Sequence, residues 1–317
     1  MVNDARNFTL ATEPGEEGMR LDLFLVRRLP EFTRSVLERF IGNGLVLVNG
    51  NRTKSGYRLR KKDCIEVTVP PPEPVELVPE KVEFSILAED ASILVLAKPP
   101  GVVVHPAAGH KNGTLVHGLL HHCASLPGLA EGRPGIVHRL DKDTSGVMLA
   151  AKTERALKKL TEDFRNRKIR KVYHAILLRS PREDKGRIDA DIGRHPVNRK
   201  KMAVVRSKGR HAATNWRIVE RFGNGMCLAE MEIETGRTHQ IRVHMASLGC
   251  PVAGDGLYGG KLPPGESLRA DRQLLHSSAL GFVHPDSGLY LTYTATLWPD
   301  MQQVLDVLRR QWDLGRK

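Results

Sequence analysis

His138-Arg139-Leu140-Asp141-Lys142-Asp143-Thr144-Ser145-Gly146 leads straight into the apolar run Val147–Ala151. Turn residues ahead of a continuous apolar stretch predict a tight loop entering a buried strand. Asp143 to Gly146 read as a turn that satisfies its own backbone donors. His138 to Asp141 are not accounted for in that way. No serine–histidine pair, cysteine nucleophile or phosphate-cradling glycine loop lies nearby, so Asp141 itself is the candidate reactive group. A carboxylate acting alone beside an arginine, in a basic protein, points to covalent or electrostatic chemistry on a polyanion.

Working outward, further strands are expected at Ile93–Ala97, Val172–Leu178, Thr214–Val219 and Met226–Ile233. The last alternates, with Cys227, Ala229, Met231 and Ile233 on one face and Leu228, Glu230 and Glu232 on the other. Helices are expected over 153–166, 239–248 and 301–312. Thr238 is the expected N-cap of the second, with Ile241, Met245 and Leu248 as its buried stripe and Gly249 as its stop. Asp300 and Gln303 would form the N-cap and capping box of the third. Residues 79–317 therefore read as one α+β unit. His239 and Arg242 share another face of the second helix. Arg242 would sit in the first turn, where the helix dipole disfavours a cation, so it needs an anionic partner. Asp141 is the candidate.

Ahead of this unit, residues 18–70 carry 11 Lys/Arg against 5 Asp/Glu. Leu21, Phe24, Leu25 and Leu29 fit one helical face. A second helix would start at the N-cap Thr33, bury Val36, Leu37, Phe40 and Ile41, and end at Asn43-Gly44. Val46–Val48, the turn Asn49-Gly50 and a strand at Cys64–Val69 follow. Arg20, Arg34, Arg52, Lys54, Arg58 and Arg60 would stay exposed. Pro70-Pro71-Pro72-Glu73-Pro74 is a stiff linker that places the boundary near residue 78, and residues 1–17 read as an N-terminal extension.

The whole chain of 317 residues has 49 Lys+Arg, 36 Asp+Glu and a net charge of +13. That balance favours an anionic partner, nucleic acid first. At 5% aromatic residues, stacking platforms are few, so contacts should be mostly to phosphate and shape. Arg194–Arg210 holds seven Lys/Arg, Arg199, Lys200 and Lys201 among them, and no acid, which reads as a basic loop or hairpin laid along phosphates. Arg155–Lys171, just before Tyr173, is also basic. The four cysteines form no Cys-x-x-Cys pair, and neither a signal peptide nor a membrane-length apolar run is present. A cytoplasmic protein with reduced thiols is expected.

Two motifs complete the picture. Lys98-Pro99-Pro100-Gly101 ends a strand and leads to Val103-Val104-His105-Pro106, a rigid loop. Thr235-Gly236-Arg237-Thr238-His239-Gln240-Ile241-Arg242-Val243-His244 joins a strand to a helix. Together with Gly135–Gly146 and Lys171-x-Tyr173, these resemble the RluA family of pseudouridine synthases over nearly all of residues 85–300. The small module resembles an S4 RNA-binding domain, through Arg20-Leu21-Asp22, Thr33-Arg34-Ser35, Gly44-x-Val46-x-Val48-Asn49-Gly50 and Lys62-Asp63. The stretches His105-Pro106-x-x-Gly109, Asn112-Gly113-Thr114 and Arg194-His195-Pro196 fit members that act on large-subunit ribosomal RNA.

The resemblance implies a helix-helix-strand S4 domain, then a mixed or antiparallel sheet with flanking helices and a central cleft. Asp141 would be the catalytic aspartate, attacking the uracil ring or the ribose, and Arg242 its ion-pair partner. Arg139 would fill the place of a flipped-out uridine, as chemistry on a stacked base requires flipping. Tyr173 would lie against the base and help remove the C5 proton. His138, Leu140, Arg237 and His239 would line the substrate site. Arg20, Arg34, Lys54, Arg58, Arg199, Lys200 and Lys201 would bind RNA. The implied partner is large-subunit ribosomal RNA, free or in an assembled precursor, met by a monomer with no membrane partner, metal or cofactor.

Two rival readings are a metal hydrolase and a non-enzymatic RNA-binding or ribosome-assembly factor. His117 and His121, at i, i+4 on a probable helix near His122 and Cys123, have the spacing of a metal-ligand pair, but no His-Glu-x-x-His accompanies them. A non-enzymatic ribosome-assembly factor would also need the basic runs, yet it would not need Asp141, Tyr173 and Arg242 together.

Overall fold

The computed structural model describes residues 6–70, 77–107, 109–129, 132–198, 200–262 and 268–314. Residues 71–76 of the Pro-rich stretch and Arg199 lie outside these. The chain divides into two compact units, Met1–Glu76 and Leu77–Lys317.

The first unit contains β1 (Arg6–Ala11), α1 (Leu21–Arg28), α2 (Arg34–Gly42), β2 (Val46–Val48), β3 (Asn51–Arg52) and β4 (Cys64–Val69). Leu21, Phe24 and Leu25 of α1 share a core with Leu37, Phe40 and Ile41 of α2 and with Val46, Ile65 and Val67 of the sheet. Asn49 and Gly50 both have positive φ between paired Val48 and Asn51, the geometry of a two-residue hairpin. The sheet order is β1-β4-β2-β3. About a third of what reads as an N-terminal extension is therefore a strand, with Arg6–Ala11 antiparallel to Cys64–Val69. Its residues are mostly exposed, so little apolar alternation marks it. Thr33 precedes α2 in extended conformation but makes no side-chain cap.

The second unit contains β5 (Ser85–Glu89), β6 (Ile93–Lys98), α3 (Leu115–His122), β7 (Ser145–Ala151), α4 (Glu154–Arg165), β8 (Arg170–Leu177), β9 (Lys185–Asp189), β10 (Ile192–Arg194), β11 (Met202–Val204), β12 (Ala213–Arg221), β13 (Cys227–Ile233), α5 (Gln240–Ser247), β14 (Leu275–Val283), β15 (Tyr290–Thr294) and α6 (Pro299–Leu314). Nine strands form one mixed sheet in the order β5-β6-β7-β14-β8-β13-β12-β9, with β15 beside β14. Only β7 and β14 pair in parallel among the described strands. Gly146 makes that close approach possible: its φ is +114°, and a Cβ there would lie 2.1 Å from the Ser277 carbonyl oxygen.

Side chains alternate between two sides of the sheet, so each strand feeds separate cores. Met148, Tyr173, Ala175, Ala229, Met231 and Leu275 pack with Leu140 and with Ile241 and Met245 of α5. On other strand positions, Val147 and Leu149 meet Ala156 and Leu160 of α4, while Ile176 and Leu228 meet Met301, Val304, Leu305 and Leu308 of α6.

Three local expectations need correction. His239, not Thr238, is the N-cap of α5, and it adopts a left-handed conformation. Leu248 is 45% exposed, outside the buried stripe. Helix α6 starts at Pro299, which suits a first helical turn, so Asp300 lies inside that turn and is engaged elsewhere.

Candidate active site

The site forms where the Asp141 loop enters β7, beside β8, the end of β13 and the start of α5. Its cleft is lined by Arg139, Leu140, Asp141, Tyr173, His239 and Arg242, among others, and offers about 100 Å³.

Arg242 Nη1 donates to Asp141 Oδ2 at 3.0 Å. Asp141 keeps its side chain 21% exposed, whereas Arg242 is 8% exposed. The other edge of the guanidinium is occupied: Nε and Nη2 donate to Asp255 at 2.6 and 3.0 Å. Asp255 is 1% exposed and also accepts from the Leu257 and Tyr258 backbone N–H groups. Burial alone would weaken the Arg242 charge, but the bonds to Asp255 and the Asp141 carboxylate outweigh it and hold the guanidinium above its usual range. One arginine thus joins a fixed, buried carboxylate to one that reaches the cleft. Tyr258 covers the cation from the side, with its ring centroid 5.1 Å from Arg242 Cζ.

The turn that presents Arg242 is held by Gln240. Its Oε1 accepts from the Thr235 hydroxyl and the Arg237 N–H, and its Nε2 donates to the Ala213 carbonyl and to Thr214 Oγ1. This buried clip forces His239 to φ +56°, a conformation that costs about 1 kcal/mol or more in a non-glycine residue. His239 Nδ1 lies 2.8 Å from the Tyr258 hydroxyl, and its Nε2 is 3.9 Å from Asp141 Oδ2.

The Asp141 loop is strapped from below by two buried cations. Lys98, fully buried, donates to the carbonyls of Pro99, Val102 and Lys142 at 2.6, 2.9 and 2.9 Å. Burial pushes its ammonium down to about 7, opposed by Asp143. Arg272 donates to the Asp143 carbonyl at 2.9 Å and makes two 2.7 Å bonds to Asp300 of α6. Asp300 therefore serves the loop through Arg272, while its Oδ1 also accepts the Met301 N–H from within the first turn and not from the expected N-cap position.

Of the residues read from sequence, Arg139, Leu140, Asp141, Tyr173, Arg237, His239 and Arg242 line one cleft. Arg139 is exposed, with Nη1 3.5 Å from His105 Nε2. Tyr173 is 8% exposed, and burial pushes its phenol well above the usual range, opposed by a hydrogen bond with Ser277. Arg237 Nε donates to the His211 carbonyl at 2.9 Å. Leu140 is a core residue, 4% exposed, that shows only an edge to the cleft.

His138 is not part of the cleft lining. Its ring stacks on Phe164 with centroids 4.6 Å apart, and its Nε2 accepts the Leu149 N–H at 2.9 Å. Burial pushes its pKa down to about 3, so the ring is neutral, and its Nε2 is committed to the framework. Arg20 and Arg34 also have structural partners, since both bind Asp22, which is fully buried. Arg58 donates to the Gly18 carbonyl. Lys54 and Lys200 are exposed, and Lys201 is half-buried in the β10–β11 hairpin. His117 satisfies Thr114 at the start of α3 and forms no cluster with His121. Among the described residues, the group with metal-ligand spacing is Glu89, His122 and Cys123. Glu89 there is already paired with Lys152 and His122. All four cysteines are unpaired, and no described helix is long and apolar enough to cross a membrane.

Residues 92–247, which contain the Asp141 loop and α5, match the family model described as RNA pseudouridylate synthase, and residues 19–65 match the S4 domain. An uncharacterised RNA pseudouridine synthase of Bacillus subtilis is 41% identical over 93% of this chain and 96% of its own length. The chain belongs to the RNA pseudouridine synthase family. This RNA pseudouridine synthase is also similar to the ribosomal large subunit pseudouridine synthase D of Xanthomonas campestris, at 42% identity over 92% of this chain and 89% of that one. The human RNA pseudouridylate synthase domain containing 4 has the same fold, with a TM-score of 0.57 and 27% identity over 71% of this chain and 93% of that one. The synthase is thus an RNA-directed isomerase with an S4 RNA-binding domain.

Sequence reasoning missed Asp255, Tyr258 and Arg272, and read Lys98 only as part of a rigid loop. Asp255 lies in Gly254-Asp255-Gly256, which reads as an ordinary turn. The available signal was a cation in want of more than one anionic partner.

Proposed function

We propose that this synthase converts specific uridines of large-subunit ribosomal RNA to pseudouridine, with Asp141 as the catalytic aspartate. The observation that carries this is the Arg242–Asp141 pair, which presents an oriented carboxylate to the cleft that Arg139, Tyr173 and His239 also line. The kinship to large-subunit synthases supports the RNA class.

The target uridine leaves the stack, and Arg139, exposed at the cleft rim, occupies its place. Asp141 attacks the ring or the ribose, and the bond it forms there breaks again as the product forms, returning the free carboxylate. The N1–C1′ bond breaks, the base turns, C5 bonds to C1′, the C5 hydrogen leaves as a proton and N1 gains one. Arg242 stays fixed throughout by Asp255, so the carboxylate needs no reorganisation during the reaction. Tyr173 packs its ring against the base. Its phenol is protonated at neutral pH, so it acts on the C5 proton as a hydroxyl, not as a phenolate. The S4 unit and the basic β10–β11 hairpin bind phosphates and determine which RNA is held.

The test is tritium release from 5-tritiated uridine in large-subunit RNA and in ribosomal subunits, with the wild type and Asp141→Asn. Release by the wild type alone is expected. Release by both proteins would remove Asp141 from the chemistry. Intact RNA binding with no release from any substrate would favour the assembly-factor reading.

A further inference from the structure

The contacts of Tyr258 extend the catalytic pair to an RNA-facing element. Its oxygen accepts the Met202 N–H at 2.8 Å, at the start of β11 and directly after Lys200 and Lys201. The same oxygen lies 2.8 Å from His239 Nδ1. Its ring stands edge-on to His239 and beneath the Arg242 guanidinium. Its backbone N–H donates to Asp255, the anchor of Arg242. The far end of the hairpin is also built: His195 Nδ1 accepts the N–H groups of Val197 and Asn198, and the Lys201 carbonyl accepts the His195 N–H. Hydrogen bonds therefore join the basic tip to β11, and β11 to Tyr258.

The hydrogen positions follow from donor counting. A phenol has one hydrogen, and the Tyr258 oxygen already accepts from Met202. The acceptor in reach for that hydrogen is His239 Nδ1. If His239 donated through Nδ1 instead, the phenol hydrogen would lack an acceptor among its recorded contacts. Nδ1 is then the acceptor and Nε2 carries the proton, 3.9 Å from Asp141 Oδ2. Burial lowers the imidazole pKa, opposed by Asp141, which is consistent with a neutral ring.

We propose that Tyr258 is a positioning residue that couples the basic β10–β11 hairpin to the Asp141–Arg242 pair and holds His239 as the tautomer whose Nε2–H faces Asp141. The coupling deepens the reading of Asp141 as the catalytic group and rests on it. RNA that seats the hairpin thereby also sets the imidazole and the arginine that flank the carboxylate.

Tyr258→Phe keeps the ring over Arg242 and removes both hydroxyl contacts. Tyr258→Leu removes the ring as well. The first readout is ring-nitrogen NMR of the full-length protein labelled with 15N-histidine, with His239 assigned from a His239→Gln control. The wild type should show a protonated Nε2 and a bare, hydrogen-bonded Nδ1, and Tyr258→Phe should shift to a mixture of tautomers. The second is tritium release over a range of RNA concentrations. Loss of a neutral hydrogen bond predicts a fall of roughly five-fold in kcat for Tyr258→Phe, with a raised KM because Met202 loses its acceptor. Tyr258→Leu should lose more kcat at a similar KM. If Tyr258→Leu does not fold, Tyr258→Phe carries the test. Wild-type nitrogen shifts, KM and kcat in Tyr258→Phe would overturn the proposal. Failure of the wild type to release tritium would instead defeat the assignment of function, while the nitrogen shifts would still decide the Tyr258 link.

Discussion

Asp255→Asn separates the anchor of Arg242 from its action on Asp141. Asparagine has the same shape and can still accept from the Leu257 and Tyr258 N–H groups. It removes the charge that receives Arg242 Nε and Nη2. Two charge-assisted bonds at about 1.5–3 kcal/mol each bracket the loss at roughly 3–6 kcal/mol. Leaving one member of a buried pair uncompensated costs about 3–5 kcal/mol, an upper bound here because Asp141 still pairs with Arg242. For a unit of this size, about 2–4 °C of melting temperature is lost per kcal/mol, so the second unit should melt roughly 6–20 °C lower. Arg242 would also be free to leave Asp141, and kcat/KM should fall by about ten-fold or more, equivalent to ~1.4 kcal/mol. The assay pairs calorimetric melting with tritium release. A double variant, Arg242→Met with Asp255→Asn, removes the charge left behind, keeps the acceptor for the Leu257 and Tyr258 N–H groups, and should melt above Asp255→Asn, yet remain inactive. Unchanged melting and turnover in Asp255→Asn would refute the reasoning. So would a double variant that melts no higher than the single one.

Other outcomes follow from the same geometry. Lys98→Met leaves three carbonyls without a donor; it should destabilise the second unit by a few kcal/mol, at about 1–3 kcal/mol per group less the relief of burying a charge, and slow tritium release by loosening the Asp141 loop. The Lys98 ammonium falls from 10.5 to about 7, so the unfolded chain binds more protons between those values. Wild-type stability should therefore gain with pH from about 7 to 10.5 relative to Lys98→Met, and parallel denaturation curves would exclude this state of Lys98. In the first unit, hydrogen bonds from Arg20, and then from Arg34 against the cost of burial, lower Asp22 from 3.8 to about 2. Its stabilisation is present above pH 3.8 and lost as pH falls towards 2. Asp22→Asn should flatten that acid-side loss, which far-ultraviolet melts between pH 5 and 2 would detect. Removing residues 1–76 should weaken RNA binding and shallow its salt dependence while leaving measurable tritium release; an unchanged salt slope would mean that the first unit contributes no phosphate contacts.

The motif segments were legible because each is local. The Asp141 turn, the strand of Tyr173 and the helix of Arg242 each follow from turn chemistry and periodicity over a dozen residues or fewer. The Arg242–Asp141 pair was also foreseeable, since a cation in the first turn of a helix needs an anion. Exposed β1, the nearly featureless β9 and the late strand β14 were not legible, because their order comes from pairing with distant strands, not from a pattern of their own.

From sequence alone came the two-part organisation, the α+β character, the basic surface and the three residues Asp141, Tyr173 and Arg242. Tertiary structure alone decided which polar residues line the cleft and which hold the frame around it. His138 sits three residues from Asp141 yet packs away from the cleft, because the loop turns it onto Phe164. Asp255, Lys98 and Arg272 lie far from Asp141 in sequence and converge on its loop or its arginine. A buried charge must find its partners within a few ångströms, and only the folded sheet determines which distant residues come that near.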